Sequence, residues 1–215
     1  MKSQKTPFLT VTTPRPSDCS LHQYSSDKSA ELGDLWSRIA DLDFAQAALE
    51  RLRSLDEDSD IALDASLYCA AAISYRRCFT SGVRTRLRLE IEERLDAEMR
   101  TAHELLLATA NKHLAHSVNP FEECKVTLAL SRAEGQPARV MGVTPSLVRL
   151  SSHNKGQLGR FSALISRVRA MLVEQLAVLG SEVATEAAQV PIEELLALPP
   201  VEFAAIDDAT ANKRR

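Results

Sequence analysis

The sequence predicts an all-α fold: a helical bundle with a small β-hairpin inserted before the last long helix. Glycine, which destabilises helix interiors, accounts for only 7 of 215 residues. The nine prolines leave residues 17–119 and 146–190 uninterrupted, so two long stretches lack the strongest helix breaker. Within both stretches, apolar residues recur every three or four positions, which is typical of helices with one buried face.

The composition is that of a folded protein with nearly balanced charge. Apolar residues make up 45% of the chain and charged residues 26%, and 26 Lys and Arg against 29 Asp and Glu give a net charge of −3. This composition excludes a disordered chain and a strongly basic nucleic-acid coat. No apolar run is long enough for a signal peptide or a membrane span, so we expect a cytoplasmic protein with no membrane partner.

The sequence lacks the motifs of several common classes of enzyme. It contains no phosphate-binding glycine loop, dinucleotide-binding fingerprint or serine-hydrolase elbow. The four cysteines lack the paired spacing of a zinc site or a redox centre. His113 and His116 are spaced so that they could share a metal ion, but two ligands are too few. We therefore expect no metal and no cofactor.

The chain divides into three predicted segments. Residues 1–28 are rich in Ser, Thr, Pro and Lys without an apolar period, which predicts a flexible N-terminal arm. Residues 29–188 form the helical domain. Residues 189–215 carry a cluster of acidic residues and a Pro-Pro pair, which predicts an acidic, mostly disordered C-terminal tail.

Two predicted helices open the helical domain. Apolar residues at helical spacing run from Leu32 to Leu55, as one long helix or as two short ones. Trp36 lies in this pattern, and we expect it in the core. The last residues of the acidic turn Asp56–Asp60 can cap a second helix over about residues 60–79.

A third stretch continues the helical pattern. It carries apolar residues at steps of three or four from Leu87 to His116. It stops before Pro120, which restricts the residue that precedes it. We expect this stretch to be helical throughout.

The hairpin and the last helix follow. Residues 125–130 and 138–143 are apolar runs on either side of a hydrophilic turn, which predicts a hairpin over about residues 124–149. The strongest apolar stripe of the chain then predicts a helix over residues 154–188, capped by Asn154. This stripe is long enough to bury one face in a bundle or against the same helix of a second subunit.

The segment from Leu105 to Ser117 carries the most informative motif. It reads Leu-Leu-Leu-Ala-Thr-Ala-Asn-Lys-His-Leu-Ala-His-Ser. It resembles the helical motif of the HEPN superfamily, most closely its abortive-infection-type bacterial branch, whose signature is Arg-Asn-Lys followed by Ala-His. Ala110 stands where the family has its arginine. The residues that match the signature are Asn111, Lys112, Ala115 and His116.

A segment on the preceding helix supports this resemblance. Residues 75–79 read Tyr-Arg-Arg-Cys-Phe and are similar to the Tyr-x-Arg-Pro-Phe segment of such proteins, with Cys78 in place of the proline. The two segments lie within residues 60–120. The resemblance implies a HEPN-like bundle for the helical domain.

The resemblance also implies metal-independent cleavage of RNA. In HEPN ribonucleases the histidine helps to move the proton of the ribose 2′-hydroxyl, the arginine stabilises the charged phosphorane, and two subunits usually bring their motifs together. It therefore implies His116 as the general acid–base group and an RNA-directed role in defence or as a toxin. The implied partners are RNA, a second copy of the chain, and an antitoxin or other protein.

Ala110 weakens this prediction of catalysis. Loss of a preorganised donor to the transition state costs about two to three orders of magnitude in rate. Arg77, on the adjacent helix, is the best substitute, because its guanidinium offers a fixed fork of donors to phosphate oxygens. Catalysis is therefore expected to be weakened or lost unless Arg77 reaches the phosphate.

Three further residues are candidates for contacts with RNA. Asn111 and Lys112 can supply polar contacts beside His116. Arg84 belongs to a run of five arginines, without an acidic residue, between positions 76 and 88. The alternative for the end of this run is pairing with glutamates one helical turn later.

Other interpretations remain open. His116 continues the apolar stripe of its helix, so it can be a packed histidine near a helix C-terminus. The chain can then be a non-enzymatic helical binding or dimerisation module for RNA, a nucleotide or a partner protein, or a helical interaction protein whose motif match is accidental. A ribonuclease predicts His116 and Arg77 in one polar cleft, and an accidental match predicts His116 buried among apolar side chains.

Overall fold

The computed structural model describes residues 20–56, 60–80, 90–113, 122–131, 137, 139–149 and 154–201. Helix accounts for 70% of the interpretable residues, and the strands form one two-stranded antiparallel sheet within these ranges. The predicted helical class and its small hairpin are therefore confirmed.

The first long helix is continuous, so the apolar pattern that begins at Leu32 belongs to one long helix and not to two short ones. The elements in chain order are α1 (Asp27–Arg53), α2 (Ile61–Arg77), α3 (Glu90–Glu93), α4 (Ala97–Ala108), a π-helical turn (Thr109–His113), β1 (Glu122–Ser131), β2 (Arg139–Arg149), α5 (Lys155–Ala187) and α6 (Ile192–Leu196).

These elements belong to two compact units, one of Met1–Gly33 with Ala177–Arg215 and one of Asp34–Leu176. None of the helices within the described ranges has the length and apolar character needed to cross a membrane.

Two helices begin at the caps that the sequence predicts. The Asp60 side chain accepts a hydrogen bond from the Ala62 backbone N–H at 2.8 Å. The Asn154 side chain accepts one from the Gln157 N–H at 2.9 Å. Each bond satisfies a donor that the first helical turn leaves free. α2 and α5 therefore start one residue after the predicted caps.

The third helical stretch is interrupted, contrary to the prediction of a continuous helix. α3 ends at Glu93 and α4 begins at Ala97, because Asp96 caps α4 by accepting a hydrogen bond from the Met99 N–H at 2.8 Å. From Thr109 the regular helix changes to the π-helical turn. The predicted end of the stretch, before Pro120, lies outside the described residues.

The unit Asp34–Leu176 has a core built by its longer helices. α2 packs against α4 and the π-helical turn. The rings of Tyr68 in α2 and Phe161 in α5 stack with their centroids 6.4 Å apart. Other fully buried side chains of this core are Leu42, Leu49, Tyr75, Leu106, Ile165 and Leu172.

Trp36 lies at the surface, so the prediction that it belongs to the core is wrong. Its neighbours Leu35 and Ile39 are buried, whereas Trp36 is 55% exposed. Consecutive residues of a helix point about 100° apart, so Trp36 falls beside the buried stripe rather than on it.

The unit of Met1–Gly33 and Ala177–Arg215 joins the residues before α1 to those after α6. Nδ1 of His22 lies 2.8 Å from the Leu198 carbonyl oxygen, and the Gln23 N–H donates to the Pro199 carbonyl at 2.9 Å. Lys28 pairs with Glu182 at 2.8 Å. The remaining parts of the predicted arm and tail, residues 1–19 and 202–215, lie outside the described residues.

The hairpin has the predicted position. β1 and β2 pair antiparallel from Glu122 with Arg149 to Ser131 with Arg139. A register shift between Ala129 and Leu130 leaves Met141 as an extra residue on β2.

Candidate functional site

The end of α2 meets the π-helical turn at a polar contact. Nε of Arg76 donates a hydrogen bond to Oδ1 of Asn111. On the next residue, Nη1 of Arg77 lies 3.2 Å from Oδ1 of Asp41 in α1. We call Arg76, Arg77, Asn111 and Asp41 the junction site.

Local structure explains why these side chains lie at the junction site. Arg76 and Arg77 occupy the last turn of α2, where the helix dipole favours positive charge. In the π-helical turn each N–H reaches back one residue further than in an α-helix, which changes the direction of the side chains. Thr109 and Ala110 are buried, whereas Asn111 is exposed. Single π-helical turns occur frequently at functional sites.

The charges of the junction site favour an anion. The two guanidinium groups outweigh the single carboxylate of Asp41. The Arg77 side chain is 53% exposed although it is paired, and a guanidinium carries five N–H donors. Arg77 can therefore keep its ion pair and still donate hydrogen bonds to a phosphate oxygen.

The structure places two of the five predicted site residues at the junction site. Arg77 and Asn111 lie on adjacent elements, and Arg76 contacts Asn111 directly. The Lys112 backbone belongs to the π-helical turn, but its side chain lies outside the described residues. His116 and Arg84 also lie outside them, so a shared cleft of His116 and Arg77 stays a prediction.

The position expected for the family arginine is in the core. Ala110 is fully buried, with 0% of its surface exposed. The side chain of an arginine at this position would leave the backbone in the apolar interior of the protein and not at its surface. Ala110 itself offers no group that could contact a phosphate, and Arg77 stays the residue predicted from sequence for that role.

A buried aromatic cluster holds α2 against α4. The Tyr75 hydroxyl lies 2.7 Å from Nδ1 of His103, which is buried. The Phe79 ring meets the His103 ring edge-on, with centroids 4.7 Å apart. This cluster fixes the helix that carries Arg76 and Arg77. His103 is not among the residues predicted from sequence, although it lies four residues from Met99 at helical spacing.

Tyr68 provides a test of this packing through its ionisation. Burial raises the pKa of Tyr68 to about 12 from an ordinary value of 10.0. The unfolded chain loses the phenol proton near pH 10, whereas the folded chain keeps it until about pH 12. The stability that this group contributes is therefore complete below pH 10 and is lost as the pH rises from 10 to 12, by about 2–3 kcal/mol.

We expect Tyr68→Phe to remove this part of the pH dependence. Urea unfolding of both proteins at several pH values between 9 and 12 would measure it, and other groups that titrate there affect both proteins alike. Parallel stability curves for the two proteins would show that Tyr68 ionises as it does in water.

The described residues contain no group of three or more His, Cys, Asp or Glu side chains that could hold a metal ion. Cys69, Cys78 and Cys124, within the described part of the chain, form no disulfide bond. The chemistry available at the junction site is therefore that of guanidinium, amide and carboxylate groups.

The fold and the junction site define a mostly helical protein with a small hairpin and a cationic surface site. Comparison with protein-family models, with curated proteins and with solved structures finds no match to this chain.

Proposed function

We propose that the chain is a HEPN-like, RNA-directed protein that contacts RNA phosphates through the junction site. The observation that carries the proposal is the hydrogen bond between Arg76 and Asn111. It joins the two segments, residues 75–79 and 105–117, on which the resemblance to the HEPN superfamily rests. The Arg76 guanidinium beside an exposed amide, next in sequence to the half-exposed guanidinium of Arg77, also has the chemistry of phosphate contacts.

In this proposal His116 and Arg77 carry the cleavage of RNA. The ribose 2′-oxygen attacks the adjacent phosphorus while His116 accepts the hydroxyl proton. The bond from phosphorus to the 5′-oxygen breaks, and that oxygen takes up a proton from solvent, to which His116 returns the proton that it accepted. The products are a 2′,3′-cyclic phosphate and a 5′-hydroxyl, and Arg77 stabilises the charge of the phosphorane between them.

The burial of Ala110 favours a second candidate, a module that binds RNA without cleaving it. The arginine of the family motif is replaced by a core residue, so the transition state loses its dedicated partner while the surface contacts of the junction site are retained. Both candidates use the same site and differ in the chemical step.

We expect Arg77→Gln to weaken the binding of RNA about tenfold, because a charge-assisted phosphate contact is lost. The slope of the logarithm of affinity against the logarithm of salt concentration should become shallower by about one. Fluorescence anisotropy with labelled single-stranded and hairpin RNAs at several salt concentrations measures both quantities.

Arg169→Gln is the matched control for this experiment. Arg169 also pairs with a carboxylate of α1, that of Asp43, so the substitution removes an equivalent ion pair elsewhere. It should leave the affinity for RNA unchanged. Equal losses in both variants, or no binding by the unsubstituted protein, would contradict the proposal.

A denaturing gel of the same samples in EDTA separates the two candidates. Cleavage that disappears in His116→Ala and leaves cyclic phosphate ends would identify a metal-independent ribonuclease. Binding without cleavage would identify the binding module.

A further inference from the structure

The hairpin has one face that is apolar over most of its described length, up to the charged pair of Glu122 and Arg149 at the end of the strands away from the turn. Directly paired residues of antiparallel strands lie on the same face of the sheet. On one face β1 contributes Val126, Leu128 and Leu130, and their partners on β2 are Pro145, Val143 and Val140. We call these six residues the apolar face.

The opposite face is mostly polar or small, with Val148 as the exception. Thr127 pairs with Thr144 there, and the Thr127 hydroxyl donates to the Thr144 carbonyl at 2.8 Å. Ala129 pairs with Gly142 on the same side. The two faces of one hairpin therefore differ sharply in hydrophobicity.

The bulge at Met141 preserves the apolar face. Val140 and Val143 are three residues apart, which in a regular strand would place them on opposite faces. The extra residue on β2 returns Val140 to the side of Val143, opposite Leu130. The bulge thus extends the apolar face to the end of the hairpin.

The apolar face is open to solvent. The five valine and leucine side chains of the face are 57–74% exposed, and Pro145 is exposed as well. An isolated two-stranded hairpin is at best marginally stable in water and needs a further strand or a packed surface. A contiguous apolar surface of this kind marks an interaction site.

We propose that the apolar face is the interface through which two copies of this chain form a dimer. A valine or leucine side chain offers on the order of 100 Å² of apolar surface, so six such residues give about 600 Å² per copy. Two copies then bury about 1,200 Å², which reaches the range of specific stable interfaces.

The chemistry of the face fits a second copy. A symmetric dimer brings the same patch of each subunit together, so a charge near the symmetry axis would meet its own equivalent. The six residues of the apolar face are all uncharged, and two such faces can stack about 10 Å apart as the sheets of a β-sandwich do. This interface is independent of the junction site and of the proposed function.

Sedimentation velocity over a range of protein concentrations tests the proposal with a closely matched pair of variants. Val143 and Thr144 are neighbours of nearly equal shape that lie on opposite faces. We expect the unsubstituted protein to be a dimer and Val143→Glu to raise the dimer dissociation constant about 100-fold or more, because a carboxylate would be buried without a partner. Thr144→Glu should leave the dissociation constant unchanged.

Two further measurements check that the effect of Val143→Glu on the dimer does not come from misfolding of the variant. Circular dichroism should show the same helix content in both variants, and Leu128→Glu, opposite Val143, should reproduce the effect of Val143→Glu. A monomeric unsubstituted protein, which would leave the face to another segment or another protein, overturns the proposal. A dimer that both apolar-face variants leave intact, or that Thr144→Glu weakens equally, also overturns it.

Discussion

Replacing Ala110 with arginine should lower the free energy of unfolding by about 3–5 kcal/mol, the cost of a buried charge without compensation. The substitution restores the arginine of the HEPN-like motif, so the sequence resemblance alone would suggest a gain of activity. The structure buries Ala110 completely in the π-helical turn. A loss of stability without new ribonuclease activity is therefore expected. Urea unfolding followed by circular dichroism, beside the EDTA cleavage assay, measures both.

Glu104→Arg is the control for Ala110→Arg. Glu104 is an exposed residue of the preceding helix α4, so the same side chain added there should change the free energy of unfolding by no more than about 0.5 kcal/mol. If Ala110→Arg were as stable as Glu104→Arg and cleaved RNA, position 110 would be accessible to substrate and the motif would function as it does in the family.

The parts of the fold that depend on local signals were predictable from sequence. α2 and α5 begin where Asp60 and Asn154 place a side-chain acceptor at a helix start, and the hairpin follows from two apolar runs around a polar turn. These signals act over a few residues, so they need no knowledge of tertiary contacts.

The parts of the fold in which two local signals compete, such as an apolar period and a capping residue, were not predictable from sequence. The apolar period runs through residues 94–96, and the capping bond of Asp96 nevertheless ends one helix and starts another. The π-helical turn at Thr109 has no sequence signature, because the insertion of a residue into a helix is decided by packing. The exposure of Trp36 was not predictable either, because the hydrophobicity of a residue does not show which side of its helix packs against the rest of the protein.

The roles predicted for the site residues stay predictions, while the structure shows the contacts that two of them make. Spacing and resemblance selected Arg77 and Asn111, which lie on adjacent elements at the junction site. The direct partner of Asn111 is Arg76, and Arg77 pairs with Asp41 from a distant part of the sequence. Such long-range pairs follow from the packing of α1, α2 and the π-helical turn, which a helical period does not encode.

Phe161→Ala should lower the free energy of unfolding by about 3–5 kcal/mol, as truncations of buried aromatic residues do. The Phe161 ring in α5 is fully buried and stacks with Tyr68 in α2, the helix that carries Arg76 and Arg77. Removing the ring leaves a cavity between α2 and α5, because close-packed helices relax only partly into such a space. Urea unfolding monitored by circular dichroism gives the free energy directly.

Phe44→Ala is the matched control, since it removes the same ring from an exposed position. Phe44 in α1 is 58% exposed, so its truncation should change the free energy of unfolding by no more than about 0.5 kcal/mol. The contrast tests the core on which the junction site rests, because the Phe161 ring packs α5 against α2. Equal effects of the two substitutions would mean that Phe161 is not buried in solution and that α2 is supported by other contacts.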